Sequence, residues 1–553
     1  MGTAVQITRV ESFETHPDRY KHWNLRVDGD VATLGLNIPE DGGLRSGDYE
    51  LKMNSYDLGV DIELQDAIDR IRYEHPAVRA VLITSDQPRI FCAGANIKML
   101  ASSTHGFKVN FCRYTNETRC HIEDATATAG QHYIAALNGT ASGGGYELAL
   151  ACETIALIDD GSSAVSLPEV PLLGVLPGTG GLTRLVDKRK IRRDIADVFC
   201  TKAEGFRARD SKKFRLVDTT FPRSKWEAGV AALAKEKAAL NPARATEGIQ
   251  WSPLNGTAGE DDSRSYSAVS VTMNDAKRVA TITINAPNKP APTTADALRA
   301  EGSQTWSMRA FRELEDALFH LRFNYPTVGV ILLKTQGDMD AVLAHDAAIA
   351  SFGDDWLASE IVAYQARVLR RLDNTAKTLF AIIDEGSCFG GTLFELTIAA
   401  DRSYMLEDED ETVTIHVTDA NGGRFPMSTG LSRLAVRFIG EPGRAEAVLA
   451  MNAALTGPDA FDEGLVTLAP DDIDWEDEVR IAIEERVSLS PDALTGMEQN
   501  LRFVGAENCD TKIFGRLSAW QNWIFQRPNA VGDEGALTLY GHPERPSFNW
   551  DRT

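Results

Sequence analysis

The chain lacks the marks of several protein classes. No run of 18 apolar residues occurs in its 553, so nothing in it reads as a membrane span, and no membrane partner is expected. The N-terminal MGTAVQITRVESFETH has no basic stretch leading into an apolar one, so no secretory signal is expected, and Gln6 breaks the pattern for myristoylation of Gly2. Cations are in the minority: 57 Lys and Arg stand against 80 Asp and Glu, and a net charge of −23 argues against nucleic acid as a partner. The seven cysteines, at 92, 112, 120, 152, 200, 388 and 509, form no C-x-x-C pair and no metal-ligand spacing, which is the usage of free thiols in a reducing cytoplasm. His105 and His132 have no partners at ligand spacing, so no metal site is expected. GTGGLT (178–183) lacks the third glycine of a dinucleotide loop.

What the chain has is apolar content of 43%, enough for large cores, and two strand–turn–helix segments rich in small residues. HYIAALNG (132–139) reads as a buried strand, and ASGGGYELALACE (141–153) follows as a glycine turn opening a helix. The free N–H groups of that first turn, with the positive end of the helix dipole behind them, suit a carbonyl oxygen that gains negative charge. Glu147 lies in the same turn, and Glu169 follows 22 residues later in SLPEVPLLGVLPGTGGLTRL (166–185). Upstream, the β-branched run VLITS (81–85) leads into FCAGANIKM (91–99), where the N–H of Ala95, after Gly94, is a candidate second donor.

These strings resemble the crotonase (enoyl-CoA hydratase/isomerase) superfamily: AGAN matches its AGAD turn, SGGGYELALAC its GGGxELALACD helix, and PEVPLLGVLPGTGGLTRL its PEvxlGxxPGxGGTxRL loop. GFRARDSKKFRLVD (205–218) fits the family's AxxAxxxGLVD segment, with Phe214 and Arg215 departing from the usual small residues. The resemblance implies an α/β fold, a spiral of ββα units, acting on acyl-CoA thioesters with no cofactor beyond the coenzyme A of the substrate. By position it makes Ala95 and Gly144 the two oxyanion-hole amides and Glu147 and Glu169 the paired acid/base groups. It also places Gly94, Asn96, Gly143, Lys98 and Lys52 at the substrate, the lysines toward the CoA phosphates. KRKIRR (188–193) is a further basic run, read as a solvated helix face.

The length is about twice that of one such unit, and internal repeats account for it. VATLGLNIP (31–39) recurs as VATITINAP (279–287), and ELQDAIDRIRYEHPAVRAVLITS (63–85) as ELEDALFHLRFNYPTVGVILLKT (313–335). HYIAALNGTASGGGYELALACETIALIDD (132–160) recurs as LFAIIDEGSCFGGTLFELTIAADRSYMLED (379–408). The expected organisation is a catalytic unit at 1–258, a degenerate scaffold copy at 259–524 and a crotonase-type C-terminal tail at 525–553, with a polar linker across 252–266. In the second copy Glu395 aligns with Glu147, but Thr392 stands where Gly144 would, Thr418 replaces Glu169, and GDMDAVLAHDA (337–347) replaces the AGAN turn. The tail is expected to fold over the first site or to reach a partner subunit, and the fused copy predicts a homodimer.

Within the superfamily, the doubled length and segments such as NFCRYTNETRCHIEDA (110–125) resemble the lyases that open the ring of 2,3-epoxybenzoyl-CoA or its dihydrodiol. That implies hydrolytic cleavage to 6-oxohexenoyl-CoA and formate, with Cys112 as the base for the water of deformylation. An ordinary enoyl-CoA hydratase and a non-catalytic binding scaffold are the alternatives.

Overall fold

The computed structural model describes residues 9–45, 47–505, 507 and 509–553. The Met-Gly terminus read above and the Cys509 thiol lie outside the described residues. The chain divides into two compact units, Met1–Trp251 and Ser252–Thr553.

In the first unit six strands form one sheet in the order β1 (Trp23–Asp28), β2 (Val31–Leu36), β3 (Ala80–Ser85), β5 (His132–Leu137), β7 (Thr154–Asp159) and β10 (Thr219–Pro222). β1 and β2 are antiparallel and the rest parallel. A second sheet runs β4 (Arg89–Cys92), β6 (Gly139–Ser142), β8 (Ala164–Ser166) and β9 (Phe206–Arg207). Each of β3, β5 and β7 is thus followed by a short strand that leaves the large sheet for the small one, and then by helix, which is the ββα spiral the sequence implied. The helices that matter for the site are α1 (Leu58–Tyr73), α2 (Ile97–Ser102), α3 (His105–Ala129), α4 (Gly144–Ala151) and α5 (Glu169–Leu173). Asp57 caps α1 by accepting from Gly59 N, and Thr104 caps α3 by accepting from Phe107 N. The apolar stripe Leu64, Ala67, Ile68 and Ile71 of α1 is buried. Each of its Leu and Ile side chains contributes roughly 1.5–3 kcal/mol by leaving water. The outer face of the sheet packs Leu82, Ile134 and Ala136 against Ala234 and Ala238 of the helix Trp226–Ala238.

The second unit repeats the plan. Its sheet runs β11 (Thr257–Ala258), β12 (Arg264–Ser265), β13 (Val269–Asn274), β14 (Val279–Asn285), β15 (Val330–Gln336), β16 (Thr378–Ile383) and β17 (Arg402–Met405), with β13 antiparallel to β14 and β14 to β17 parallel. Leu314, Ala317, Leu318 and Leu321 are buried like their counterparts in α1, and Val330, Phe380 and Ile382 pack against Ala482 of the helix Trp475–Ser488. The small sheet has shrunk to Ile415–His416 paired with Ala454–Leu455.

Two expected boundaries move. The stretch 252–266 is not a linker: it carries β11 and β12, Ser252 N donates to Ser303 Oγ, and Arg309 donates to Pro253 O and Leu254 O. Composition misled because a polar edge strand and a linker use the same residues. The tail at 525–553 is bound into the second unit. Asn529 donates to Asp492 (3.0 Å) and accepts from Asn549 N, and buried Arg552 donates to Glu498 (2.6 Å) and Thr378 (3.1 Å).

Candidate active site

Two turns of the first unit meet. Gly94 has φ +89, and a Cβ there would lie 2.8 Å from both Gly144 N and Ser142 O, so only glycine lets the β4–α2 turn touch the β6–α4 turn. The neighbours of the turn are spoken for: Tyr56 N donates to Gly94 O, Asn96 N to Tyr56 O, and Gly143 N to Ser166 O. Ala95 N–H and Gly144 N–H have no backbone acceptor among the described residues. The chain therefore brings two free amides side by side from strands far apart in sequence, as the two turns suggested.

The two glutamates share the pocket in different states of engagement. Glu147, on the first turn of α4 and 2% exposed, accepts from Thr179 N (2.9 Å) and Gly181 N (2.8 Å) at Oε1 and from Thr179 Oγ1 (2.5 Å) at Oε2. Glu169, at the start of α5, is also buried, and its Oε2 has no partner among the described residues. Burial raises its carboxyl from 4.5 to about 7, and the charge of Glu147 adds to the effect. Gly143 (φ +53) makes room for it, since a Cβ there would stand 2.6 Å from Glu169 Oε1. Gly143, expected at the substrate, thus serves as the floor under Glu169.

Cys112 projects from α3 toward the loop before Thr179, where a Cβ on Gly178 would meet its Sγ at 3.2 Å. Burial pushes its thiol up to about 11, with Glu147 and Asp61 adding to it, so at neutral pH it is protonated. The Asn96 side chain is engaged within the fold. Its Oδ1 caps α2 at Met99 N (2.9 Å), and its Nδ2 donates to Glu50 O (2.8 Å) and Ser55 Oγ (3.1 Å), so the carboxamide fixes the turn that carries Ala95. Lys52 and Lys98 flank that turn, both exposed, with Lys52 2.6 Å from Glu50. KRKIRR is not the solvated helix face expected: it spans a helix end, a bend and the next helix start, with Ile191 buried, Lys188 paired with Glu123 and Glu153, a largely covered Arg189 with Asp218, and exposed Arg192 with Asp194.

Sequence reasoning missed the layer beneath. Arg119 on α3 and Asp61 on α1 form a fully buried ion pair, and Thr115 Oγ1 donates to the same carboxylate at 2.7 Å. The Arg119 guanidinium lies 5.5 Å from the centroid of the Tyr56 ring, and the Tyr56 hydroxyl has no partner among the described residues. Each of these residues reads locally as a helix or turn residue. Only the third dimension assembles them.

The second unit has lost the corresponding features. Glu395 is tied to Asn421 (2.8 Å) and Arg433 (3.0 Å), and Arg433 in turn to Asp373 (2.6 Å). Thr392 N–H donates to Asp346 (2.6 Å), which the helix Met339–Ser351 supplies where the first unit has its Ala95 turn. Thr418 caps a short 3-10 helix.

The enoyl-CoA hydratase/isomerase family profile matches residues 50–247, the segment that carries this constellation. A solved enoyl-CoA hydratase from Geobacillus kaustophilus HTA426 is 33% identical, covering 40% of this chain and 75% of that one, with a TM-score of 0.35. The fatty acid oxidation complex subunit alpha of Aliivibrio fischeri (strain ATCC 700601 / ES114) is 29% identical over 239 residues, 41% of this chain and 31% of its own. The benzoyl-CoA-dihydrodiol lyase of Aromatoleum evansii is 51% identical over 549 residues, 99% of this chain and 98% of that protein. The chain belongs to the enoyl-CoA hydratase/isomerase, or crotonase, superfamily and, within it, to the benzoyl-CoA-dihydrodiol lyase family.

Proposed function

We propose that the chain is a carbon–carbon lyase whose single active site, in the first unit, opens the ring of 2,3-epoxybenzoyl-CoA or its dihydrodiol to 6-oxohexenoyl-CoA and formate. The observation that carries this reading is a pair of buried glutamates in unlike environments beside two free amides. Identity of 51% along nearly the whole chain to a benzoyl-CoA-dihydrodiol lyase supports the choice of substrate. In this reading Ala95 and Gly144 donate to the thioester oxygen. When the ring bond next to the thioester breaks, its electron pair becomes an enolate on that oxygen, and each amide contributes on the order of 10²–10³ in rate. Glu169, poised at about 7, exchanges a proton with the ring oxygens in either direction at neutral pH. Glu147, held by three donors, is the second acid/base group, fixed in place for a water or hydroxyl. Cys112 enters as a neutral thiol lining the site rather than as a base. Lys52 and Lys98 face the CoA phosphates. The net reaction is hydrolytic and calls for neither metal nor redox cofactor, coenzyme A being part of the substrate. The enzyme works in the cytoplasm as a homodimer, which light scattering on the full chain checks.

The test is the purified full-length protein with 2,3-epoxybenzoyl-CoA, formate and acyl-CoA products being measured, and crotonyl-CoA run in parallel. Stoichiometric formate is the expected result. Hydration of crotonyl-CoA without formate from the epoxide would move the assignment to a hydratase.

A further inference from the structure

We propose that the hydroxyl of Tyr56 is a third hydrogen-bond donor to the thioester oxygen, and so a catalytic residue of this site. Three placements carry it. The main chain of Tyr56 is laddered to the turn that bears the first amide, through Tyr56 N to Gly94 O (3.0 Å) and Asn96 N to Tyr56 O (2.9 Å). The tip of its ring lies against the α-carbon that bears the second amide. A Cβ on Gly144 would stand 2.9 Å from Tyr56 Cζ and would collide with Oη outright. The hydroxyl is therefore held against Gly144 by a residue whose main chain is laddered to the Ala95 turn, and neither the Ala95 nor the Gly144 N–H has a backbone acceptor among the described residues.

That hydroxyl is also available to a ligand. Tyr56 is 3% exposed and its Oη has no hydrogen-bond partner among the described residues. Buried polar atoms are nearly always satisfied, and an exception marks stored strain or a functional role. Glu169 Oε2, the group on which the proposed proton chemistry rests, is likewise without a partner among the described residues. One donor lies against Gly144 and one acid/base carboxylate against Gly143, at neighbouring positions of the same turn.

The side chain is built to stay put and to stay protonated. Phe111 packs 6.0 Å from its ring and Arg119 sits 5.5 Å from the ring centroid, itself pinned by Asp61. Burial, with the charges of Asp61 and Glu147, holds the phenol well above its ordinary range, so it donates and does not act as a base. A cation over the ring face draws electron density from the phenol and strengthens the O–H as a donor.

The inference rests on reading the site as one that binds an acyl thioester, and its test is separable from the ring-opening assignment. Tyr56→Phe removes one oxygen that has no hydrogen-bond partner among the described residues. Formate release should fall on the order of 10²–10³-fold, the usual cost of one oxyanion donor, while the affinity for benzoyl-CoA changes several-fold at most. The melting temperature should stay level or rise, because an unsatisfied buried group has been deleted. The second readout is benzoyl-CoA labelled with ¹³C at the thioester carbonyl. Bound to the wild-type protein its resonance should move downfield, and the displacement should shrink in Tyr56→Phe, a change that altered packing alone does not produce. An unaltered resonance, or a melting temperature lowered by several degrees, overturns the inference. If the wild-type protein releases no formate, the ring-opening reading falls and the carbonyl resonance still decides the role of Tyr56.

Discussion

Glu169→Gln should raise stability and destroy activity together, and the pH dependence of the first effect identifies its cause. The carboxyl stands at about 7 in the folded protein and near 4.5 when exposed. A carboxyl raised on folding favours the folded state while it is protonated, so its contribution is fully present below about 4.5 and is lost as pH rises through 7. Above that the folded protein carries an ionised, buried, half-partnered group that costs about 3 kcal/mol. Glutamine has the same shape and no charge to bury. The melting temperature of Glu169→Gln should therefore match the wild type, apart from a constant offset, near pH 4.5 and exceed it increasingly toward pH 8. At roughly 2–4 °C per kcal/mol for a unit of this size, the gain is roughly 6 °C or more. Calorimetry across pH 4.5–8 measures it. Turnover should fall roughly 10²–10⁴-fold, and the wild-type kcat/KM profile should break near 7. A stability difference that does not change with pH, or more than about a tenth of wild-type turnover in the variant, would refute the account of Glu169 as a desolvated acid/base group.

Gly144→Val should abolish turnover on formate assay because any Cβ there collides with Tyr56 Oη, whereas Thr392→Val should leave turnover intact, since Thr392 N–H is already engaged by Asp346. Equal damage from both would mean that the second unit is not catalytically silent. Glu395→Ala removes one of two carboxylates from fully buried Arg433 and should lower stability by about 3 kcal/mol in denaturant titration without changing kcat per folded molecule. Alkylation of Cys112 by iodoacetamide should be slow at pH 7 and accelerate toward pH 11, and a reactivity midpoint below 8 would restore a thiolate role for it.

The parts of the site that were legible in sequence are those whose signal is local. A glycine after a β-branched strand and a glutamate three residues into the next helix are visible as strings, and so Gly144, Glu147 and Ala95 could be placed. The repeats at an offset near 250 exposed the doubled sheet for the same reason. What stayed hidden depends on approach between distant segments. Asp61 and Arg119 are 58 residues apart, on two helices, and each looks like a solvated charge until both are found buried. Tyr56 sits in NSYD, ahead of α1, with nothing in its neighbours to say that its hydroxyl reaches Gly144. Asn96 carries a role that its motif did not announce. Its place in the AGAN turn suggested a ligand contact, but a residue three positions before Met99 at a helix start is also an N-cap, and its Oδ1 makes that cap.

The contrast between the two copies gives the physical difference between a site and its remnant. Both keep the strained glycine at the helix entrance, Gly143 at φ +53 and Gly391 at φ +49, so the turn that presents the next amide survives in each. In the first copy the Gly144 amide has no backbone acceptor and Glu169 Oε2 no partner among the described residues. In the second the amide and hydroxyl of Thr392 are both bound to the buried carboxylate of Asp346, at 2.6 and 2.7 Å, and Glu395 is locked by Arg433 and Asn421. The amide that stands open in the first copy has thus been given a carboxylate from its own chain. Unsatisfied buried groups destabilise a fold by roughly 1–3 kcal/mol each, and a copy released from catalysis gains by satisfying them. In the proposed reading a substrate completes the open groups of the first copy. The same reasoning ties Tyr56, Glu169 and the two amides together: around this one turn they are polar groups for which the described residues supply no acceptor or donor.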